Sequence, residues 1–275
     1  MSFHPTRASS TPSSGCGETP SASTSPTSRR SVTILQTIAD GLIAVLLAPE
    51  CAACATPLAQ PTRGPVCSRC WNSIAPFVPP LCQRCGDVLQ TWRVLSTASG
   101  LCARCRRRPS SISRSRAIGP YEGSLRAILH ALKYGGCRSL AGGLGRRMRS
   151  AGADVLGGAS IVIPVPLHPR RRRARGFNQA ADLARHLGLP VVDALHRTRA
   201  TRSQTDLPAA KRHANVRGAF VFRRGVNVGG LRVVLVDDVA TTGATLESCA
   251  RVLRAAGAVD VSALTAARVA SRPRG

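Results

Sequence analysis

The stretch Val233–Thr245, VVLVDDVATTGAT, decides how this chain is read. Four apolar residues, Val233 to Val236, predict a buried strand covered on both faces. Asp237 and Asp238 follow at the strand's C-terminal end, where open α/β sheets bind ligands. Thr241, Thr242, Gly243 and Thr245, with Ala240 and Ala244 between and before them, then bring hydroxyls and backbone N–H groups to the start of a helix. The helix dipole favours an anion there. A carboxylate pair suits the vicinal hydroxyls of a ribose, and the hydroxyl-rich turn suits its phosphate. A helix cap alone needs one such residue, not six in order. The spacing is neither that of a P-loop nor a GxGxxG turn.

Outward from this motif, strand and helix patterns alternate from about residue 110, which predicts a parallel α/β sheet. Strands are expected at Ser115–Gly119, Ile161–Val165 and Val259–Ala266, with a short strand region at Pro190–Leu195. Helices are expected over Gly123–Tyr134, Ser139–Ser150, Asn178–Leu187 with Asn178 as its cap, and Ala244–Ala256 ended by Gly257. Residues 197–216 read as a polar connection.

The chain has 275 residues, room for one medium domain and a small module. Its net charge is +26, and only Lys133 and Lys211 among 39 basic residues are lysines. Such a surface attracts polyanions, whether phosphorylated ligands or nucleic acid. Residues 1–30 are rich in Ser, Thr and Pro and are expected to be disordered. Over 31–49 the apolar positions Ile34, Leu35, Ile38, Leu42, Val45 and Leu46 fall at helical spacing, so a helix packed on the body of the protein is expected. Asp40 and Gly41 interrupt this apolar run, which argues against a membrane span or a leader peptide and for a cytoplasmic protein.

Eight of the 11 cysteines form four C-x-x-C pairs: Cys51/Cys54, Cys67/Cys70, Cys82/Cys85 and Cys102/Cys105. Two knuckles complete one tetrahedral Cys₄ zinc site, so four imply two structural zinc ions, with sequential pairing expected. Four such pairs in series fit neither a disulfide framework in a cytosolic chain nor a redox dithiol. Cys137 and Cys249 read as small core side chains. Arg104, Arg106, Arg107 and Arg108, with Trp71 and Trp92, either pack the small module or meet single-stranded nucleic acid.

Five arginines, Arg170 to Arg173 and Arg175, precede Gly176 and follow the strand that ends near Pro166. A basic loop at a strand's C-terminal end faces the ligand crevice and can hold pyrophosphate or a nucleic-acid backbone. The segment that contains Gln204, Arg212 and Asn215 is long for a structureless connection and reads as an active-site lid.

Taken together, four knuckles, Tyr121-Glu-Gly, Leu132-Lys-Tyr, Pro164-Val-Pro-Leu, Arg175-Gly-Phe-Asn-Gln, Gln204…Asn215…Phe220 and the Val233–Thr245 motif resemble the ComF family. The resemblance covers about residues 35–270. It implies a type I phosphoribosyltransferase-like parallel sheet with flanking helices at 110–275. A helix and a double zinc ribbon at 31–109 would precede it. It further implies phosphoribosyl diphosphate (PRPP) with Mg²⁺ as ligand, at Asp237, Asp238 and Ala240 to Thr245. Asp237 and Asp238 would be the catalytic pair, with pyrophosphate near Arg170, Arg175, Gly176 and Lys133. The expected activity is that of a phosphoribosyltransferase in DNA uptake, acceptor and oligomeric state open, with single-stranded DNA and the uptake machinery as partners. A non-catalytic single-strand-binding protein and a PRPP-sensing regulator are the alternatives.

Overall fold

A computed structural model describes residues 26–89, 100–198 and 218–269, with 26–35 as backbone alone. Helix α1 (Pro26–Leu47) therefore starts before residue 31, inside the stretch expected to be disordered, and the rest of that tail lies outside the described residues. Two small cysteine-bearing units follow, one containing a 3₁₀ turn (Pro61–Arg63) and α2 (Ser68–Asn72), the other α3 (Ala103–Arg107). The larger domain then runs β1 (Ser115–Pro120), α4 (Gly123–Tyr134), α5 (Leu140–Ala151), α6 (Ala153–Leu156), β2 (Ile161–Pro164), α7 (Pro169–Arg175), α8 (Gln179–Ala184), β3 (Leu195–Arg197), β4 (Phe220–Phe222), β5 (Arg232–Ala240), α9 (Ala244–Ala255) and β6 (Asp260–Arg268).

The main sheet is parallel throughout, in the order β1-β6-β5-β2. Its side chains divide by strand alternation. Ile118, Val162, Val234, Val236 and Leu264 pack with α4, α5 and α8 through Ile128, Leu129, Leu132, Leu144 and Leu183. Ile161, Ile163, Val233, Leu235 and Val261 pack with α9 through Leu246, Cys249 and Leu253, and with Leu195 and Phe220 of the small antiparallel β3–β4 pair. With both faces covered, β5 reads as a continuous apolar run rather than an alternating one.

Three differences from the sequence reading have local causes. The Pro190–Leu195 region makes only a single parallel bridge, Val191 with Val162, before β3 turns away to pair with β4. The arginine run is not a loop but helix α7, because Pro169 occupies its first turn and the His168 ring accepts the Arg170 N–H at 3.3 Å. Helix α1 does not pack its apolar stripe on the body. It turns Asp40 inward, where Oδ1 accepts the Thr62 N–H at 2.8 Å. Ile38, Leu42, Val45 and Leu46 are 56–83% exposed.

The glycines of α5 have a packing reason that offsets their cost of about 1 kcal/mol each in a helix. A Cβ on Gly143 would meet the Trp71 ring at 2.8 Å, and one on Gly145 would meet His186 Cβ at 2.4 Å. The first cysteine unit thus docks on α5, where Trp71 also receives the Arg147 guanidinium 4.4 Å from its ring centre. Gly119 of β1 is the tightest of these sites, since a Cβ there would meet the Ala75 carbonyl oxygen at 2.1 Å. Gly119→Ala is therefore expected to cost about 2 kcal/mol of overpacking. Thermal unfolding should show a fall of about 5 °C; an unchanged midpoint would mean that residues 75–77 do not lie on β1.

Candidate phosphate and ribose site

The site exists because β5 is longer than its neighbour. Strand β2 pairs with β5 only as far as Pro164 opposite Val236, and the Val165 N–H donates to the Val236 carbonyl at 2.9 Å. Pro166 has no N–H to continue the ladder. Strand β5 runs on, paired only with β6, through Asp237 opposite Thr265, Val239 opposite Ala267 and Ala240 opposite Arg268. The acidic pair thus lies within the strand, on a stretch that β2 does not pair and that meets Lys133 at the end of α4.

Lys133, at the end of α4, places its Nζ 3.1 Å from Asp238 Oδ1 and 5.9 Å from the centre of the Tyr121 ring. Burial alone would lower the pKa of this ammonium, but the Asp238 carboxylate beside it holds it above the usual lysine value. Asp237 Oδ1 accepts the Asp238 N–H at 2.8 Å. Burial, and then the neighbouring Asp238 charge, push the Asp237 carboxyl up to about 7. Asp237 is therefore poised to titrate near neutrality, beside an Asp238 that is ion-paired with Lys133.

After Ala240 the chain turns through Thr241, Thr242 and Gly243, whose φ of +77° is a left-handed conformation suited to glycine. Helix α9 starts at Ala244, and no side chain of its N-cap residue closes it. Thr242 Oγ1 accepts the Ala244 N–H at a long 3.4 Å. The turn thus gathers hydroxyls and helix-terminal N–H groups in one place, an arrangement suited to a phosphate.

Helix α7 borders two cavities. On one side of it a cavity of about 500 Å³ is lined by Lys133, Tyr134, Arg171, Arg175 and Phe177. On the other a cavity of about 620 Å³ includes Pro166, Arg172, Arg173, Gly176, Arg197 and Arg223. Arg175 stacks its guanidinium 5.0 Å from the Tyr134 ring centre, Arg170 is exposed, and Gly176 closes the helix at φ +79°. Arg197 of β3 was not singled out from sequence. Burial and the nearby Arg171 charge pull its pKa down, against the opposing pull of Asp237. It sat in a run of polar residues, and only the β3–β4 pairing turns it inward. Gln204, Arg212 and Asn215 lie outside the described residues, as does Trp92.

The cysteines assemble in the sequential pairing. The sulfurs of Cys51, Cys54, Cys67 and Cys70 lie within 4.8 Å of one another, and so do those of Cys82, Cys85, Cys102 and Cys105. The two groups repeat one geometry. The Cys67 N–H points at Cys51 Sγ at 3.3 Å, and the Cys102 N–H at Cys82 Sγ at 3.3 Å. In each group the third cysteine caps a five-residue helix. The Thr56 hydroxyl pulls the Cys54 thiol down to about 6, whereas burial pushes Cys70 of the same group up to about 12, the divergence expected of thiols crowded into one site. No disulfide forms among the described residues. Four convergent sulfurs with N–H groups directed at them fit tetrahedral zinc. Cys249 is fully buried in the core as expected, whereas Cys137 is only half-buried. Native mass spectrometry is expected to find two zinc ions per chain and one in Cys85→Ser; two in the variant would contradict the grouping.

These features have close counterparts. The Double zinc ribbon domain model matches residues 42–106, and the Phosphoribosyl transferase domain model matches residues 173–274. The DNA utilization protein YhgH of Escherichia coli O157:H7 is 33% identical over 225 residues, spanning 77% of this chain and 93% of that protein. Competence protein F of Haemophilus influenzae is 31% identical over 214 residues, spanning 74% and 90%. Among solved structures, the glutamine PRPP amidotransferase of B. subtilis complexed with ADP and GMP aligns 46% of this chain with 26% of its own at 29% identity and a TM-score of 0.32. Orotate phosphoribosyltransferase from Aeropyrum pernix aligns 52% with 76% at 22% identity and a TM-score of 0.30. On the length and identity of its match to the YhgH and competence proteins, and with a double zinc ribbon ahead of a phosphoribosyltransferase domain, the chain belongs to the ComF family.

Proposed function

We propose that this protein binds PRPP with Mg²⁺ at the end of β5 and uses it as a phosphoribosyltransferase that serves DNA uptake or utilisation. The observation that carries the reading is the run of β5 past β2. It sets Asp237 and Asp238 on an open edge and delivers the threonine turn to the start of α9. The carboxylates hold the ribose 2′- and 3′-hydroxyls, and Thr241 to Thr245 hold the 5′-phosphate. Lys133 faces both Asp238 and the cavity beneath Arg171 and Arg175, so one ammonium serves the acid and the pyrophosphate. Mg²⁺ would arrive with the diphosphate and neutralise part of its charge; two acidic side chains beside it fit that ion's preference for few protein ligands and retained water.

Transfer breaks the bond between C1′ and the pyrophosphate oxygen, leaving an oxocarbenium-like ribose. The chain's contribution is to orient the ribose and to stabilise the departing charge with Lys133 and the arginines of α7. The acceptor supplies the incoming atom, and no general base is required of the protein. The names of the relatives, a DNA utilization protein and a competence protein, support the pathway. The charge of +26 favours a second reading, in which the site senses PRPP while the basic surface holds single-stranded DNA. In that reading pyrophosphate release is absent with every acceptor, DNA ends included, although PRPP still binds.

Calorimetric titration with PRPP and Mg²⁺ checks the shared core of both readings. Asp238→Asn removes an ionic partner of Lys133 and a hydroxyl acceptor, and is expected to weaken binding about tenfold or more. No heat in the wild type would sink PRPP binding altogether. The pH dependence tests Asp237. Its folded pKa is raised, so below about 7 it is protonated and a poorer acceptor for two hydroxyls. PRPP affinity should therefore rise with pH up to about 7, by at most about tenfold per pH unit for one proton. The corresponding rise should be missing in Asp237→Asn, which also corrects for titration of the ligand's own phosphates. Identical pH profiles would remove Asp237 from the ligand.

A further inference from the structure

The two zinc ribbons are attached in different ways, and the difference falls on the phosphate turn. Cys51, Leu58, Val66 and Cys70 of the first ribbon belong to the core that covers one face of the sheet, together with Leu129 and Leu144. The second ribbon has a separate small core of Cys82, Cys85, Leu89 and Cys105. It is tied to the larger domain by polar contacts: the Ser115 N–H of β1 donates to the Arg84 carbonyl at 2.7 Å, and further ties reach the two ends of the Thr241–Gly243 turn.

At the turn's entrance, Ala240 is the register partner of Arg268, and the Val269 N–H donates to the Ala240 carbonyl at 2.9 Å. Arg268 is only 6% exposed. Its guanidinium donates to the Cys85 carbonyl and meets Asp87 at 2.8 Å, both within the second ribbon. At the turn's exit, Glu247 in the first turn of α9 accepts the Ser110 hydroxyl at 2.7 Å and the Ser111 N–H at 2.9 Å, on the segment that leaves the ribbon. Between these anchors a cavity of about 150 Å³ separates Thr242 and Gly243 from the ribbon's Arg84, Arg104 and Arg108. Arg84 and Arg104 are committed to the ribbon's own frame. Arg84 donates to the Cys105 carbonyl at 2.7 Å, and Arg104 pairs with Asp87 at 3.1 Å.

We propose that Arg268 and Glu247 are positioning residues that make the second zinc ribbon the rear wall of the phosphate turn, so that zinc at Cys82, Cys85, Cys102 and Cys105 orders Thr241–Thr245. The physical chain is short. A unit with so small a core folds only around its metal. Once folded it presents the Cys85 carbonyl and Asp87 to Arg268, and the linker serines to Glu247. Loss of the metal releases both ends of the turn while the sheet beneath, held by its own apolar faces, stays intact. The first ribbon grips β1 and α5, on the other side of β6 from β5 and its turn. The proposal deepens the PRPP reading, since an ordered turn is what a 5′-phosphate needs, but its test does not depend on that ligand.

The test is hydrogen exchange on the full-length chain, without ligand, in the wild type, in Cys102→Ser and in Cys54→Ser. Amides of 241–247 are expected to exchange on the order of tenfold faster in Cys102→Ser, within the usual range of site-to-site coupling. They should be unchanged in Cys54→Ser. Amides of 233–236 report whether the sheet has survived. Glu247→Ala, which touches no cysteine, should retain both zinc ions and still speed the same amides; Glu247→Gln, which keeps one acceptor for Ser110, should restore part of the protection. Equal exchange in the two cysteine variants, or unchanged exchange in Cys102→Ser, would overturn the coupling. Intact coupling in a protein that gives no heat with PRPP would count against the ligand alone.

Discussion

The structure turns on the unequal length of two neighbouring parallel strands. Pro166 ends the ladder of β2, and β5 continues along β6 alone. A strand edge that loses its partner normally exposes unpaired backbone groups. Here the exposed edge carries the acidic pair and meets Lys133, so the interruption creates the site. Everything else placed near Asp237 and Asp238 arrives from elements that flank that gap: Lys133 from the end of α4, the arginines from α7, and Arg197 from β3.

Electrostatics then decide how the gap is used. Two carboxylates side by side in a partly buried position oppose each other's ionisation. Lys133 pairs with Asp238 at 3.1 Å, and Asp237 is left with a carboxyl shifted up to about 7 by burial and the neighbouring Asp238 charge. Positive charge is concentrated on α7, where Arg175 lies against Tyr134 and Arg171 is close enough to lower the pKa of Arg197. An acidic pair suited to hydroxyls and a basic helix suited to a diphosphate thus meet at Lys133, which contacts Asp238 and lines one cavity with Arg171 and Arg175. A ligand that carries both groups on one ring satisfies both at once.

The strand and the turn of this site were legible in the sequence, because they are local. Four apolar residues, two acids and a Thr-Thr-Gly turn specify their own backbone, and the zinc knuckles specify theirs through spacing. The relations between segments were not legible. Nothing in Arg170–Arg175 as a run of charges announces that Pro169 and His168 start a helix there. The inward turn of Arg197 depends on pairing with Phe220, more than twenty residues on. The apolar spacing of α1 was read correctly as a helix, but Asp40 finds the Thr62 N–H and faces the protein, which sends the apolar stripe outward. Periodicity gives a helix and its stripe; it does not say which side has a partner.

The most direct test of the central claim, that the threonine turn and the acid pair together recognise a phosphorylated ribose, is phosphorus NMR of PRPP and Mg²⁺ titrated with the protein. The account requires the 5′-phosphate resonance and the two diphosphate resonances to shift together with wild-type protein. With Thr242→Val the 5′-phosphate should lose most of its shift while the diphosphate keeps its own, because the threonine turn holds one group and Lys133 with the arginines of α7 holds the other. A 5′-phosphate resonance that never moves, or one that moves equally in both proteins, would contradict it.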